Sequence, residues 1–391
     1  MNSPRTIIRK KANRCSAANQ LFATTARGVE EVLAAEMTRA GFEILSVERG
    51  GVRFSGGMEA CMRANLHLTT AGRILLPLAT FPSASPEELY EGVKSLPWTD
   101  LITPAMTLAV DCSLRDSAIT HSRYAALKAK DALVDQLRER TGSRPNVDTT
   151  NPDLRVNLHI VANQCTVSLD SSGDPLDRRG YRLDRTEAPL RETLAAALVE
   201  LTGWQGDTPF MDPLCGSGTL VIEAALRGSR RAAGLVRNAF GFQRWIGYDQ
   251  QLWRKICSEA EAMVRSELSA PLVGRDQDAK AITAALQNAR RAGVGRLTEF
   301  VQGPLAEARP VGEGGVIIMN PPYGERLGKG TDLPAFYRTI GDLLKRHFTG
   351  YTAFVFTGDL ELAKQVGLKA TRRHVLFNGP IECRLLRYEL Y

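Results

Sequence analysis

Residues 208–228 read TPFMDPLCGSGTLVIEAALRG. The stretch passes from a strand through a turn carrying Gly216 and Gly218 into a helix beginning near Thr219, the unit that opens a doubly wound parallel sheet. The glycines let the backbone approach a bound ligand closely, and the helix start presents free N–H groups to a negative group. A nucleotide-like ligand is implied. A dinucleotide fingerprint would want a third glycine where Val221 stands, and a phosphate-binding P-loop would want Gly-Lys-Ser/Thr; neither is present.

Toward the carboxyl end, PLVGRDQDAKAITAALQNARRAGV (271–294) repeats strand and helix, LTEFVQG (297–303) adds a strand, and GVIIMNPPYG (315–324) another. Asp276 ends its strand about where an acidic residue accepts hydrogen bonds from a ribose, the bland alternative being that it N-caps the next helix. The two prolines of Asn320-Pro321-Pro322-Tyr323 can neither donate to a sheet ladder nor continue one. The tetrad therefore fixes a stiff turn at a strand's carboxyl end, where open α/β sheets bind their ligands. Helix 332–348 and strand 351–358 follow, and 371–391 reads as two strands joined by a turn containing Asn378 and Gly379, an antiparallel hairpin on the sheet edge. Between the first two units lies an insertion, FGFQRWIGYDQQLWRKICSEAEAMV (240–264), helical in its second half, to which the sequence assigns no role.

Toward the amino end the pattern is α+β. GVEEVLAAEMTRAGF (28–42) predicts a helix and EILSVERGGVRFSG (43–56) a hairpin around Gly50 and Gly51. TLAVDCSLRD (107–116) predicts a strand, 121–142 a helix with Tyr124, Leu127, Val134 and Leu137 on one face, and 154–173 two strands turning near Asn163. No catalytic constellation stands in the first 175 residues or so, which points to a binding or positioning task.

The chain has 391 residues, enough for two domains or more, and 43% apolar content, ample for packed cores. Seven cysteines without a C-x-x-C pair and five histidines that never cluster with them suggest neither a disulfide framework nor a zinc site, and a reducing cytoplasm fits. No window approaches a membrane span, and residues 1–18 read as a basic tail. The formal charge of +7 is compatible with a polyanionic partner without proving one. Its position says more: Arg178, Arg179, Arg182, Arg185 and Arg191 gather in one probable linker, for which a plain solvated linker is an equal reading.

Taken together, MDPLCGSGTLVIEAA, GRDQDA, IMNPPYGERLG and the upstream RRGYRLDRTEAPLRETLAAALVELTGW resemble the class I S-adenosylmethionine-dependent RNA methyltransferases that carry a THUMP domain, in particular the RlmL-like enzymes that make N2-methylguanine in large-subunit (23S) ribosomal RNA. The resemblance covers nearly the whole chain. It implies a Rossmann-like α/β class I methyltransferase, a seven-stranded sheet ending in the antiparallel hairpin, preceded by α+β ferredoxin-like and THUMP domains. The expected divisions are a tail (1–18), a ferredoxin-like piece (19–66), an RNA-binding THUMP domain (67–174), a linker (175–190) and the methyltransferase domain (191–391).

The resemblance also implies residue roles. The Asn320 side-chain oxygen and the Pro321 carbonyl accept the protons of an exocyclic amine, Pro322 stiffens their presentation, and Tyr323 stacks on a flipped base. S-adenosylmethionine lies against Asp212, Pro213, Leu214, Cys215, Gly216, Ser217, Gly218 and Thr219, with Leu190 and Thr193 near its methionine tail, Asp276 and Gln277 at its ribose, and Gly303, Pro304 and Asn320 beyond. Cys215, placed in the cofactor turn, reads as packing rather than as the ring-attacking cysteine of cytosine-C5 enzymes. Relatives commonly carry an aspartate after Gln-Gly to accept a hydrogen bond from the adenine amine; Pro304 stands there, and Glu307 is the nearby carboxylate that could replace it. Arg178, Arg179, Arg182, Lys128 and Lys130 are the expected RNA contacts. No metal is required. Alternatives are the same chemistry on transfer RNA, an RNA-binding protein whose catalytic domain has lost activity, and an NAD-type dehydrogenase, which cofactor binding would separate.

Overall fold

A computed structural model describes residues 19–182, 190–323 and 332–391, so the basic tail and Arg185 lie outside the described residues. In the first half the strands are β1 (Gln20–Thr24), β2 (Ile44–Glu48), β3 (Gly51–Ser55), β4 (Arg73–Pro82), β5 (Thr107–Arg115), β6 (Asn146–Val147), β7 (Leu154–Val161) and β8 (Gln164–Asp170). Helices α1 (Glu30–Arg39), α2 (Met58–His67), α3 (Pro86–Lys94) and α4 (Ser122–Thr141) cover them. The ferredoxin-like and THUMP portions share one eight-stranded sheet in the order β2-β3-β1-β4-β8-β7-β5-β6. The joint is β4, antiparallel to β1 on one side and to β8 on the other, so Leu75 faces both Phe22 and Asp170.

One sequence expectation is corrected here. Val134 and Leu137 are buried, but Tyr124 and Leu127 are 48% and 51% exposed. The buried face of α4 runs through Ala125, Ala129, Ala132, Leu133 and Gln136 together with Val134 and Leu137, its three alanines letting the helix lie close to its neighbours.

The second half contains α5 (Glu192–Thr202), β9 (Phe210–Asp212), α6 (Thr219–Gly228), α7 (Gln250–Ala262), β10 (Leu272–Asp276), α8 (Ala279–Arg291), β11 (Glu299–Gln302), β12 (Gly315–Met319), α9 (Leu333–His347), β13 (Tyr351–Thr357), α10 (Leu360–Lys364), β14 (Arg372–Asn378) and β15 (Ile381–Glu389). They build the expected seven-stranded sheet, ordered β11-β10-β9-β12-β13-β15-β14. β9 to β13 are parallel, and β15 runs antiparallel between β13 and β14. Chain order reverses direction between β9 and β12, and that switch point is where such sheets bind ligands.

The insertion acquires a structural role. Phe240, Phe242, Trp245, Ile256 and Ala260 belong to the core of the first half, not to that of the methyltransferase sheet. Trp253 meets the rings of Phe240 and Phe242 edge-on at 5.4 and 5.1 Å. Arg237, beside them, donates to the carbonyls of Pro175 and Arg178, both at 2.8 Å. Arg237 and the insertion that follows it thus clamp the linker to the sheet that precedes it.

The linker arginines divide accordingly, and two of the expected RNA contacts are corrected. Arg179 is buried, its Nε and Nη2 donating to the two Glu223 carboxylate oxygens at 2.8 and 2.9 Å and Nη2 also to the Thr69 carbonyl at 2.7 Å. Tyr181 Oη donates to the same carboxylate at 3.0 Å. A guanidinium so consumed cannot reach a phosphate; it ties α2's exit, the linker and α6 together. Arg182, 8% exposed at its side chain, donates to Thr219 Oγ1 and to the Leu190 carbonyl, and is likewise committed inward. Arg178 is exposed and pairs with Asp174 across 3.1 Å. Lys128 lies 5.2 Å from the Tyr90 ring centroid, and Lys130 pairs with Asp131.

Candidate active site

Three strand ends around the switch point carry the site: Asp212 closes β9, Asp276 closes β10, and Asn320 follows β12. The glycine turn connects the first two. Gly216 N–H donates to Asp276 Oδ2 at 2.9 Å, Cys215 N–H to the Arg275 carbonyl at 2.8 Å, and Asn288 Nδ2 from α8 to the Ser217 carbonyl at 3.1 Å. Gly218 has φ +85, and a Cβ there would stand 2.9 Å from Phe300 and 3.0 Å from Ala285, so its side is filled by protein. Gly216 has φ +52 and nothing within 4 Å of a Cβ, which leaves its side open to a ligand. Asp276 does not cap the following helix; Asp278 does, accepting from Lys280 N–H at 2.8 Å. The Cys215 thiol is buried and pushed far up by that burial, which suits packing rather than nucleophilic attack.

Leu190 and Thr193 stand at the start of α5, with Arg182 reaching from the linker to Thr219 at the start of α6. Asp212 accepts from Leu214 N–H at 3.0 Å. Burial, helped by the Asp276 charge and opposed by that N–H, pushes its carboxyl up to about 8. An unfolded aspartate ionises near about 3.9, so in between it is the folded chain that keeps the proton. The contribution to stability is therefore complete below about pH 4, declines as pH rises, and is lost above about 8. Asp212→Asn is expected to flatten this slope: denaturant midpoints taken at about pH 5 and about pH 9 should fall less than in the wild type. An unchanged slope would show that the carboxyl ionises normally.

The tetrad is held from behind. Tyr337 Oη, on α9, is 3.3 Å from the Pro322 carbonyl, to which it donates, and 2.9 Å from Thr357 Oγ1 at the end of β13. Asn320 Oδ1 is buried and accepts no hydrogen bond from the described residues. Tyr323 corrects an expectation. Its ring is buried against Gly358, where a Cβ would come within 2.9 Å, and its hydroxyl accepts from Asn378 Nδ2 at 3.1 Å. A face so covered is not presented to a base. Tyr337, Thr357 and Asn378 escaped the sequence reading because nothing local marks a side chain that braces a turn from another element.

The loop after β11 carries Pro304 where the resemblance leads one to expect an aspartate. Gly303 N–H donates to the Asp276 carbonyl at 2.9 Å, and a Cβ on Gly303 would collide with the Arg275 guanidinium. Pro304, with φ −68, precedes a 3₁₀ turn at Leu305–Glu307, and the Glu307 carboxylate stands 68% exposed, 3.9 Å from Arg275. Gln302 Nε2 reaches the Gln277 carbonyl at 3.4 Å. Aspartate suits the residue before such a turn, so Pro304→Asp should be accepted and should tighten S-adenosylmethionine binding several-fold, the worth of a neutral hydrogen bond of about 0.5–1.5 kcal/mol. Glu307→Ala should change it little. Calorimetry decides: lost binding in Glu307→Ala would make Glu307 the adenine acceptor.

Among the described residues no group of three or more His, Cys, Asp or Glu could hold a metal ion, and no helix is long and apolar enough to cross a membrane. The family model for an RMKL-like methyltransferase domain matches residues 179–387, that for a THUMP domain 83–170, and that for an RlmL ferredoxin-like domain 20–75. The ribosomal RNA large subunit methyltransferase K/L of Syntrophotalea carbinolica is 44% identical over 95% of this chain and 53% of its own. The chain thus spans about half the length of that relative. A Synechocystis protein named "Putative RNA methyltransferase" is 42% identical over 95% of this chain and 96% of its own. Two solved structures superpose throughout: one named "a putative methyltransferase complexed with SAH" (30% identity, 95% and 98% of the two chains, TM-score 0.85), and one named "a predicted N6-adenine-specific DNA methylase" from Listeria monocytogenes (33%, 100% and 99%, TM-score 0.86). The chain belongs to the RMKL-like methyltransferase family, its catalytic domain set behind an RlmL-type ferredoxin-like domain and a THUMP domain.

Proposed function

We propose that this protein is an S-adenosylmethionine-dependent RNA methyltransferase that modifies the exocyclic N2 amine of a guanine in 23S ribosomal RNA in the cytoplasm. The observation that carries the reading is Asn320 Oδ1, a buried acceptor with no partner among the described residues, at the end of the strand beside the sheet's switch point. Buried polar atoms are almost always hydrogen-bonded, so an orphan acceptor beside the sheet's switch point is a place kept for a donor. The open side of Gly216 and the Asp212 and Asp276 carboxyls suit the cofactor that the structural relative's SAH represents.

S-adenosylmethionine, when bound, supplies a methyl carbon on a sulfonium, a leaving group good enough that no metal or covalent nucleophile is needed. The chain's task is orientation. A guanine amine is a weak nucleophile because its lone pair is delocalised into the ring. With Asn320 Oδ1 accepting one N–H and the Pro321 carbonyl the other, the lone pair is turned out of the ring plane toward the methyl group. The new C–N bond forms as the C–S bond breaks, and the nitrogen then releases a proton to solvent. Pro322, its carbonyl gripped by Tyr337, keeps the two acceptors at fixed spacing. Exposed Arg178 and, on α4, Lys128 and Lys130 remain candidate phosphate contacts.

Incubating the full chain with radiolabelled S-adenosylmethionine and either unmodified 23S ribosomal RNA or total transfer RNA tests the substrate. Label is expected in the ribosomal RNA. Label confined to transfer RNA would assign the same chemistry to the other substrate, and cofactor binding without any label would leave an RNA-binding protein.

A further inference from the structure

A cavity of about 540 Å³ opens between the two halves, walled by the loop after β1, the start of α5 and the β14–β15 turn. Its size suits a nucleotide. The walls are fixed to each other: a Cβ on Gly28, in the loop after β1, would stand 2.5 Å from the Val375 carbonyl on β14. Where the walls meet, the Arg27 guanidinium stacks on the Phe377 ring, 4.2 Å from its centroid, and the pair together lines the cavity. Arg191 reaches the cavity with its side chain 67% exposed, only loosely paired with Asp177 at 3.9 Å, whereas Arg73 is spent on the buried Asp170. The cavity also adjoins the tetrad, because Asn378, the residue after Phe377, donates to Tyr323 Oη at 3.1 Å.

We propose that this cavity binds a single-stranded nucleotide of the RNA that flanks the methylated one, its base stacked on Phe377 and Arg27 and its phosphate held by Arg191. The inference rests on the RNA-methylation reading and deepens it. Unpaired RNA is recognised by stacking its bases on aromatic rings and arginine planes while cations follow the backbone. With Tyr323 covered, Phe377 is the half-buried aromatic ring next to the tetrad that a base can reach.

The test measures affinity of the full chain for 23S ribosomal RNA transcript by filter binding, apart from turnover, with S-adenosylmethionine affinity and thermal midpoint as controls. Phe377→Leu keeps bulk and loses the ring; it should weaken RNA binding about tenfold with both controls unchanged, and Phe377→Trp should restore it. Arg191→Ala should weaken binding and reduce the slope of log affinity against log salt by about one phosphate's worth. Wild-type RNA affinity in Phe377→Leu, or a loss matched by a lowered midpoint or weakened cofactor binding, would make the Arg27–Phe377 contact mere packing between the halves and overturn the proposal. A wild type that binds the transcript but methylates another atom would refute the N2 assignment, with the variant affinities still deciding the cavity.

Discussion

Asn320→Ala is expected to lower methyl transfer by about 10²-fold or more while leaving S-adenosylmethionine affinity and thermal stability close to wild type. The combination follows from one observation. Asn320 Oδ1 accepts no hydrogen bond from the described residues, so its removal orphans no internal donor among them. What disappears is an acceptor that the amine alone would use. Held by the Pro321 carbonyl alone, the amine is less firmly oriented, and its lone pair is aimed at the methyl carbon only part of the time. Single-turnover rates with saturating cofactor provide the measurement. Undiminished turnover would sink the orientation mechanism, and a collapsed thermal midpoint would show that Asn320 braces the fold instead.

Arg179→Ala should cost stability rather than chemistry, by about 3–5 kcal/mol, the range for removing one partner of a buried ion pair. Among the described residues the Glu223 carboxylate would remain buried with the Tyr181 hydroxyl alone to satisfy it, and the Thr69 carbonyl would lose the Arg179 donor. Since these groups lie on three separate segments, the loss also removes one of the ties between the two halves. Denaturant unfolding with matched slopes measures the change. Arg179→Ala with wild-type stability but weakened RNA binding would return this arginine to the RNA-contact role that its charge first suggested.

The contrast between Arg179 and Gly218 marks what could be read from sequence. The turn at 212–219 was legible because its cause is local: positive φ at two glycines and the helix start that follows. The tetrad and the terminal hairpin were legible for the same reason, through proline and turn chemistry. Arg179 was not, because a row of arginines looks alike whether it meets phosphate or a glutamate forty-four residues further on. Tyr323 misled similarly. Its motif predicted an exposed platform, whereas the residues that bury its ring and hold its hydroxyl, Gly358 and Asn378, come from β13's exit and from β14. The insertion's aromatic residues were visible as apolar, but nothing in 240–264 says that they join the core of the preceding half. Local rules gave the site's frame, and long-range packing decided which side chains remain free to act.

The atom that receives the methyl group tests the central claim most directly. The two proposed acceptors would suit an adenine N6 amine as well as a guanine N2 amine, and one structural relative is named as a predicted N6-adenine-specific DNA methylase. Unmodified 23S ribosomal RNA should be methylated by the full chain, digested to nucleosides and separated by chromatography with mass detection. The account predicts N2-methylguanosine. N6-methyladenosine, or a methyl group on a ring carbon, would contradict it.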